Sequence, residues 1–369
     1  MRADLFVPGR VCLFGEHSDW AGGFRRSHPG IAKGHAIIAG TSQGIHATAS
    51  PHAGALLLSS VTADGAHHGP VEIPMEADAL LAAARGNGFF RYVAGVAYRI
   101  LERAPAAAGG LRLDNDATDL PVGKGLSSSA AICVLTARAF NVLYDLGLTL
   151  AEEMEIAYEG EITTPSRCGR MDQGCAYGSR PIHMTFDGDR VEVEEIRVGA
   201  PLHLLLVDLG AGKDTAAILA DLQHSYPVAV TDLDRGVQHL LGEANERTVR
   251  AAIAAIEAGD APGLGRMMAE AQELFDRYAA PASPRELAAP ALHRVLRHPP
   301  LAGVVWGGKG VGSQGDGAAQ LLARGAGARE EAIEILRRDF GLHSLRLTIE
   351  PGSGSRASGI ARVTDQDYA

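Results

Sequence analysis

Cysteine and long apolar runs are both scarce in this chain of 369 residues. The four cysteines form no C-x-x-C pair and have no histidine spacing that suits zinc, which argues against a zinc site and a disulfide framework. The sequence contains no apolar run of about eighteen residues, the length that spans a membrane. The opening MRADLFVPGR carries charge where a signal peptide has its apolar core. We therefore expect a cytoplasmic protein without a membrane partner.

Positive charge is also in short supply. The chain has 34 Lys and Arg residues against 44 Asp and Glu residues, which gives a formal net charge of −10. This balance provides no general positive field for nucleic acid or for an anionic membrane, so a phosphate group would have to be bound by a local site. Hydrophobic residues make up 46% of the chain, enough for a globular core, and the length suggests two domains.

A cradle for an anion is the strongest local signal. Residues 121–131 read PVGKGLSSSAA and run directly into a segment whose apolar residues have helical spacing. Gly123 and Gly125 let backbone N–H groups turn inward, and the first turn of a helix presents unpaired N–H groups to a negative group. Lys124 adds a positive charge, and three serines exceed what one helix cap needs. The stretch is not a Walker A motif, and the alternative is a tight turn before an ordinary capped helix.

A second candidate ligand site follows the first apolar strand, VCLF. Glu16, His17 and Asp19 come close together there, just before Gly22 and Gly23. Three ionisable groups at this spacing make poor regular structure but can bind a polar ligand. The alternative is a solvated loop.

Strands dominate the first hundred residues, and helices dominate the second half. Residues 34–50 alternate small apolar and polar residues, which predicts two short strands joined at Thr41 to Gly44. Helical spacing predicts a helix over 89–104, and Thr149 with Glu152 forms a capping box that predicts another helix start. Near the C-terminal end, ELAAPALHRVLRH reads as one helix.

A charged hairpin, DGDRVEVEEIRV, ends close to residue 195. We place a domain boundary there and predict domains at 1–195 and 196–369. The order of strands first and helices later is compatible with an α+β fold.

Four separated stretches resemble the GHMP kinases, the superfamily of galactokinase, homoserine kinase, mevalonate kinase and phosphomevalonate kinase. PGRVCLFGEHSDWAGG is similar to the first family motif in its galactokinase form, and PVGKGLSSSAA is similar to the ATP-binding motif. CGRMDQG resembles the galactokinase segment with the catalytic aspartate, and GGKGVGSQGDGAAQL stands where the glycine-rich third motif is expected. The four matches run in the expected order from Pro8 to Leu321.

The resemblance implies a ribosomal-protein-like N-terminal domain, a ferredoxin-like, helix-rich C-terminal domain and an active site in the cleft between them. It implies ATP and Mg²⁺ as cofactors, a small-molecule sugar as substrate, and a monomer or homodimer. It also implies that one set of residues binds the ATP phosphates: Pro121, Gly123, Lys124, Gly125, Leu126, Ser127, Ser128 and Ser129.

Catalytic roles are implied residue by residue. Asp172 matches the base that takes the proton from the accepting hydroxyl, and Arg10 matches the arginine beside that base. Ser129 stands where the family has its magnesium-binding serine. Glu161 is the carboxylate expected to share the magnesium ion, and Glu159 is the alternative.

The resemblance also implies a sugar site. Glu16, His17 and Asp19 correspond to galactokinase residues that hydrogen-bond sugar hydroxyls, Gly169 would add a backbone contact, and Tyr226 would line the sugar. The third motif would contribute Gly308, Gly310 and Gly312.

Some residues depart from the galactokinase pattern. Trp20 replaces the usual tyrosine, and Lys309 and Gln314 interrupt the third motif. Arg25 and Arg26 follow the first motif, where they could recognise an acidic sugar or a phosphate on the substrate, or face solvent.

We expect transfer of the γ-phosphoryl group of ATP to a sugar hydroxyl, with the anomeric hydroxyl as acceptor. The alternatives are a mevalonate- or heptose-phosphate-type kinase of the same superfamily and a non-catalytic sensor of sugar and ATP.

Overall fold

The computed structural model describes residues 1–105, 109–120, 126–166, 168–351 and 362–364. Its strands are β1 (Arg2–Phe14), β2 (Gly34–His52), β3 (Ala55–Val61), β4 (His67–Pro74), β5 (Gly110–Thr118), β6 (Ile182–Asp187), β7 (Arg190–Glu195), β8 (Leu202–Asp208), β9 (Val305–Gly310), β10 (Ala318–Ala323), β11 (His343–Ile349) and β12 (Arg362–Thr364). Its helices are α1 (Ser18–Gly23), α2 (Ala77–Arg85), α3 (Arg91–Arg103), α4 (Ser128–Tyr144), α5 (Leu150–Thr163), α6 (Thr215–His224), α7 (Asp232–His239), α8 (Asn245–Ala258), α9 (Ala261–Tyr278), α10 (Pro284–Leu287), α11 (Pro290–Leu296) and α12 (Ala326–Phe340). Short 3₁₀ segments occur at Phe24–Arg26, Asp172–Tyr177, Ala280–Ala282 and Pro299–Gly303, with a π-helical turn at Leu240–Ala244. None of the helices in these ranges is long and apolar enough to cross a membrane.

The chain forms two compact units, each built from separate stretches. Unit 1 takes in Met1–Arg10, Gly40–Ser179 and β12, and unit 2 takes in Val11–Ala39 and the chain from Arg180 to Pro351. Both units mix strands with helices, so the predicted α+β class is confirmed. The predicted domains are continuous stretches, and the boundary after residue 195 stays a prediction.

Unit 1 is built on a mixed sheet whose strands run in the order β12-β1-β2-β5-β3-β4. The pair β3 and β5 is parallel, whereas β5 is antiparallel to β2 and β4 is antiparallel to β3. Helix α4 is apolar nearly all round and is correspondingly buried on most of its surface. The predicted capping box starts α5: the Thr149 hydroxyl accepts from the Glu152 N–H, and Glu152 accepts from the Thr149 N–H.

Unit 2 contains an antiparallel sheet of four strands in the order β11-β8-β10-β9. Its register aligns Leu204 of β8 with Leu322 of β10 on one side and with Leu347 of β11 on the other. Apolar residues of β8 and β10 pack with α11 and α12 in one buried core. In the same unit, the predicted charged hairpin is present as β6 and β7, and β6 pairs with residues 34–38 of β2.

Two secondary-structure predictions were wrong. Residues 34–52 form one continuous strand, β2, and do not turn at Thr41 to Gly44. The glycine there serves close packing, since a Cβ on Gly40 would lie 2.1 Å from the Gly178 carbonyl oxygen. The segment ELAAPALHRVLRH is divided into α10 and α11, because Ala289 adopts a left-handed conformation (φ 46°) and Pro290 starts a new helix.

Candidate active site

The predicted catalytic pair lies in unit 1. Arg10 of β1 directs its guanidinium at Asp172, the first residue of the 3₁₀ segment Asp172–Tyr177. Its Nε donates to Asp172 Oδ1 at 3.1 Å, and its Nη2 donates to the same oxygen. The Arg10 side chain is buried, whereas the Asp172 side chain keeps 21% of its surface exposed. The carboxylate therefore has a fixed orientation and an accessible face.

Hydrogen bonds to backbone carbonyls hold the segments that carry Arg10 and Asp172 in place. The Arg10 N–H donates to the Leu126 carbonyl at 3.1 Å, which ties this point of β1 to the residues before α4. At the other end, buried Arg138 of α4 donates to the Ala176 carbonyl at 2.8 Å and to the Glu153 carboxylate at 2.9 Å. The segment that carries Asp172 is thus anchored to α4 and, through Glu153, to α5.

A fully buried carboxylate, Glu161 of α5, lies beside this pair. It accepts from Gln173 Nε2 at 2.8 Å and also hydrogen-bonds the Ser129 hydroxyl. Burial raises the pKa of Glu161; the hydrogen bond from Ser129 opposes this rise, and the nearby charge of Asp172 adds to it. Glu161, Ser129 and Asp172 therefore lie in one cluster.

The alternative residue, Glu159, points elsewhere. Its carboxylate pairs with Arg103 of α3 at 2.9 Å and is partly exposed. A step of two residues along an α-helix corresponds to a rotation of about 200°, so Glu159 and Glu161 face opposite sides of α5. The geometry thus favours Glu161 over Glu159 as the partner of Ser129.

The described part of the phosphate cradle begins at Leu126. Ser127, which precedes the first residue of α4, has left-handed backbone angles (φ 54°, ψ 55°), and its side chain does not cap the helix. This conformation costs a non-glycine residue about 1–2 kcal/mol, and strain of this kind is concentrated at ligand sites. The N–H groups of the first helical turn have no partner within the helix and suit an anion. Four further residues predicted for the cradle lie outside the described residues: Pro121, Gly123, Lys124 and Gly125.

A cavity of about 550 Å³ adjoins the start of α4 in unit 1. Its walls combine aromatic rings with amides and hydroxyls, and they include Ser59, Asn87, Phe89, Phe90, Tyr92, Asn115, Ser128 and Ser129. Asn115 Nδ2 donates to Ser60 Oγ at 3.0 Å and to Thr118 Oγ1 at 2.9 Å, which fixes one polar wall. Both the volume and the mixed lining suit an organic ligand such as a nucleoside. The sequence did not predict this cavity.

In unit 2, the tautomer of His17 follows from its partner. Trp20 Nε1, which can only donate, donates to His17 Nδ1 at 3.1 Å, so the neutral ring carries its proton on Nε2. Burial lowers the pKa of His17 to about 4, and the charges of Lys213 and Lys309 lower it further, although the Ser313 backbone opposes them. The ring is therefore neutral at pH 7. Its Nε2 is buried.

Lys309 of β9, in the third motif, is a buried lysine with a carboxylate partner. It is 2% exposed, and its Nζ donates to the Glu16 carboxylate and to the Gly310 carbonyl at 3.0 Å. Gly308 and Gly310 flank it within β9, and Gly312 follows in the next loop with φ +67°. The predicted sugar residue Glu16 is thus one half of a buried ion pair.

The remaining predicted sugar residues have different surroundings. Asp19 lies in the first turn of α1, and Gly169 lies in the irregular segment before Asp172. Tyr226 is buried in an aromatic cluster, with its ring 5.5 Å from Trp20 and 5.7 Å from Phe24. Tyr226 therefore contacts Trp20, the donor to His17, and burial raises its pKa to about 12.

The two arginines after the first motif form ion pairs. Arg25 Nε donates to Asp187 Oδ1 at 2.6 Å, and Arg26 lies 3.2 Å from Asp189 on the surface. These partners favour a structural role for Arg25 and the solvent-facing alternative for Arg26.

Known proteins resemble this chain over most of its length. The family model of the GHMP kinases N terminal domain matches residues 91–179. The galactokinase of Streptomyces coelicolor is 28% identical over an alignment of 390 residues, which covers 95% of this chain and 92% of that protein. The chain is therefore similar to members of the GHMP kinase superfamily, and to galactokinases in particular. The galactokinase of Thermotoga maritima is another relative, 28% identical over 264 residues that cover 64% of this chain and 73% of that protein.

Solved structures share the fold of this chain. Lactococcus lactis galactokinase, in complex with galactose, aligns with a TM-score of 0.71 at 16% identity over 96% of this chain and 95% of that chain. L. major mevalonate kinase, in complex with R-mevalonate, aligns with a TM-score of 0.65 at 20% identity over 95% of this chain and 96% of that chain. The predicted GHMP kinase fold is therefore confirmed.

The cluster around Glu161 has the oxygen groups to hold a magnesium ion. Ser129 and Glu161 offer the oxygen ligands that Mg²⁺ prefers, and Gln173 Oε1 is buried without a hydrogen-bond partner in the described part of the chain. The described residues hold no group of three or more His, Cys, Asp and Glu side chains suited to a metal. Magnesium bound here would take its other ligands from nucleotide phosphates and water, as it usually does.

Sequence reasoning missed two residues of these sites. Gln173 directly follows Asp172 in CGRMDQG, and its amide could have been assigned to the cluster from that adjacency. Lys309 was noted only as a departure; a lysine among small and apolar residues of a strand predicts a buried partner, since lysine is almost never fully buried unpaired.

Proposed function

We propose that this chain transfers the γ-phosphoryl group of ATP to a hydroxyl of a sugar, with the anomeric hydroxyl as acceptor. The observation that carries the proposal is the ion pair of Arg10 and Asp172, which adjoins Glu161 and Ser129 at the start of α4. One unit thus combines a carboxylate base, a cation, oxygen ligands for a metal and a helix N-terminus for phosphate. Galactokinase relatives support a sugar as the acceptor.

Asp172 acts as the base in this scheme. The sugar oxygen forms a bond to the γ-phosphorus while the bond from that phosphorus to the bridging oxygen of ADP breaks, and the hydroxyl proton passes to Asp172. A carboxylate is a weak base for an alcohol, so it acts by position and takes the proton after the metaphosphate-like group has acidified the hydroxyl. Arg10 orients this carboxylate and balances the negative charge of the transferring group.

The nucleotide would bind to the cradle and cavity of unit 1. Backbone N–H groups at the start of α4 and the hydroxyls of Ser127 to Ser129 would hold the phosphates, and the 550 Å³ cavity would hold the base and ribose. Ser129 and Glu161 would hold Mg²⁺, which neutralises phosphate oxygens when bound. Because ATP is the donor, the cytoplasm is the proposed location.

Glu16 and His17 of unit 2 would bind the sugar. Neutral His17 offers one buried N–H donor, and Glu16 offers carboxylate acceptors. A polyol satisfies both, whereas a substrate without matching hydroxyls leaves buried polar groups unpaired and binds weakly.

A coupled assay of ADP release tests the proposal. The protein would be supplied with ATP and Mg²⁺ and, in separate reactions, with galactose, other aldoses, uronic acids, a heptose phosphate and mevalonate. Sugar-dependent release of ADP supports the proposal. Turnover with mevalonate alone would favour the mevalonate kinase branch, and binding of ATP and sugar without turnover would favour a sensor.

A further inference from the structure

The buried ion pair of Lys309 and Glu16 joins two motifs that lie 293 residues apart in the chain. Lysine and glutamate are almost never fully buried unless paired, and here both are buried. Such a pair is weak evidence for stability, because well-packed apolar residues of similar volume often serve equally well. Its position next to His17 therefore points to a role in the sugar site.

Lys309 sits on a rigid support. It stands opposite Gln320 in the antiparallel pair of β9 and β10, and Gln320 Nε2 donates to the carbonyls of Cys12 and Leu13 at 3.0 and 3.1 Å. On the other side, the Gly310 N–H donates to Gln272 Oε1 at 2.8 Å. These contacts fix both the strand that carries Lys309 and the end of β1 that leads to Glu16.

The charge of Lys309 also reaches His17. Lys309 and Lys213 both disfavour the protonated ring, and Lys213 is itself held by the carbonyls of Gln314 at 2.7 Å and Val311 at 3.4 Å. Phe275 stacks on the ring at a centroid distance of 5.9 Å, and Trp20 occupies Nδ1. Burial is the largest cause of the lowered pKa of His17, and Lys309, which also holds the Glu16 carboxylate, adds to it.

We infer that Lys309 is a positioning residue of the sugar site, which holds the Glu16 carboxylate charged and in place beside His17, so that the two side chains present one acceptor and one donor to adjacent hydroxyls. The inference rests on the proposed function, because it takes a polyol as the ligand of Glu16 and His17. A single cation in the third motif then holds the carboxylate acceptor that the first motif offers.

The experiment compares Lys309→Met, Glu16→Gln and the double variant with the wild type, with Lys33→Met as a control for loss of a surface cation in the same unit. The first readout needs no sugar. Carbon NMR of glutamate labelled at the carboxyl carbon, assigned with Glu16→Gln, follows the ionisation of Glu16. In Lys309→Met the buried carboxylate has lost the Lys309 cation, so it should bind a proton near neutral pH.

The second readout is steady-state kinetics against pH with the best sugar of the panel, galactose being the first probe. Lys309→Met should raise KM about tenfold or more, the effect expected when a hydrogen bond to a charged group is lost, while kcat changes less than about threefold. KM should improve as pH rises and Glu16 ionises again. The double variant should lose that pH dependence without regaining the wild-type KM, and Lys33→Met should match the wild type.

The inference is overturned if Glu16 in Lys309→Met stays charged at neutral pH in the NMR titration. It is equally overturned if KM stays within about twofold of the wild type across the pH range, where the lost hydrogen bond should cost at least tenfold. A wild type that turns over no sugar would refute the proposed function through the assay alone, and the NMR titration would still decide whether Lys309 controls the charge of Glu16.

Discussion

Replacement of Asp172 by asparagine separates catalysis from folding and binding in this protein. Asparagine keeps the size of the side chain and one oxygen that can accept from Arg10 Nε, which lies 3.1 Å from Asp172 Oδ1. It removes the negative charge and the ability to take a proton. We therefore expect a folded protein that binds ATP and phosphorylates sugar very slowly.

The magnitude follows from the geometry. Loss of a positioned base typically lowers the rate by about 10²–10⁴, which corresponds to about 2.7–5.4 kcal/mol in the activation barrier. The ion pair contributes far less to stability, because the Asp172 side chain is 21% exposed and solvent screens it. A partly exposed pair is worth about 1 kcal/mol or less, so the free energy of unfolding should change little.

The matched control is Asp187→Asn. Asp187 accepts from Arg25 at 2.6 Å and pairs with Lys33 at 2.9 Å, so its replacement removes a carboxylate with two cationic partners in unit 2. Single-turnover phosphorylation, ATP binding by calorimetry and urea unfolding would be measured for both variants. Asp172→Asn with a turnover close to that of Asp187→Asn, or with ATP binding lost in parallel, would refute the assignment of Asp172 as the base.

Three further predictions test the surroundings of the site. Gln173→Leu removes the side chain that donates to Glu161 at 2.8 Å. The Mg²⁺ concentration for half-maximal activity should then rise about tenfold or more, as it does when other residues that orient metal ligands are replaced. An unchanged Mg²⁺ titration would contradict the proposed metal site. Burial lowers the pKa values of His17 and His35 to about 4, so between pH 6.5 and 4 the unfolded chain binds more protons than the folded one and the free energy of unfolding should fall as pH falls. Each fully buried histidine can change the free energy of unfolding by about 3 kcal/mol over this pH range. In the double variant His17→Gln, His35→Gln, the free energy of unfolding measured in urea should therefore depend less steeply on pH. An unchanged dependence on pH would argue against buried neutral rings. Burial also raises the pKa values of the Cys133, Cys168 and Cys175 thiols, that of Cys175 to about 12. Iodoacetamide at pH 8 should therefore label these thiols slowly in the folded protein and readily in urea. Rapid labelling of Cys168 in the folded protein would contradict a buried thiol.

Patterns that act over a few residues predicted much of this molecule. The capping box at Thr149 and Glu152 and the helix after the serine run depend on neighbours within one or two turns, and both are present. The segment CGRMDQG likewise placed Asp172 in a candidate site, and the structure brings it to Arg10.

What the sequence could not predict depends on contacts between distant residues. Gly40 lies within a strand because the chain at Gly178 packs against it, and no local pattern distinguishes that glycine from one in a turn. The choice between Glu159 and Glu161 required the helical phase of α5 relative to Ser129. The partner of Lys309 required the fold to bring the third motif to the first.

The most direct test of the central claim is phosphorus NMR of the reaction product with the wild-type protein, ATP, Mg²⁺ and the best sugar of the panel. The account predicts a new phosphate monoester whose phosphorus couples to the anomeric proton, formed in equal amount to ADP. Inorganic phosphate as the sole product beside ADP, or a phosphate ester on a non-sugar acceptor alone, would contradict it.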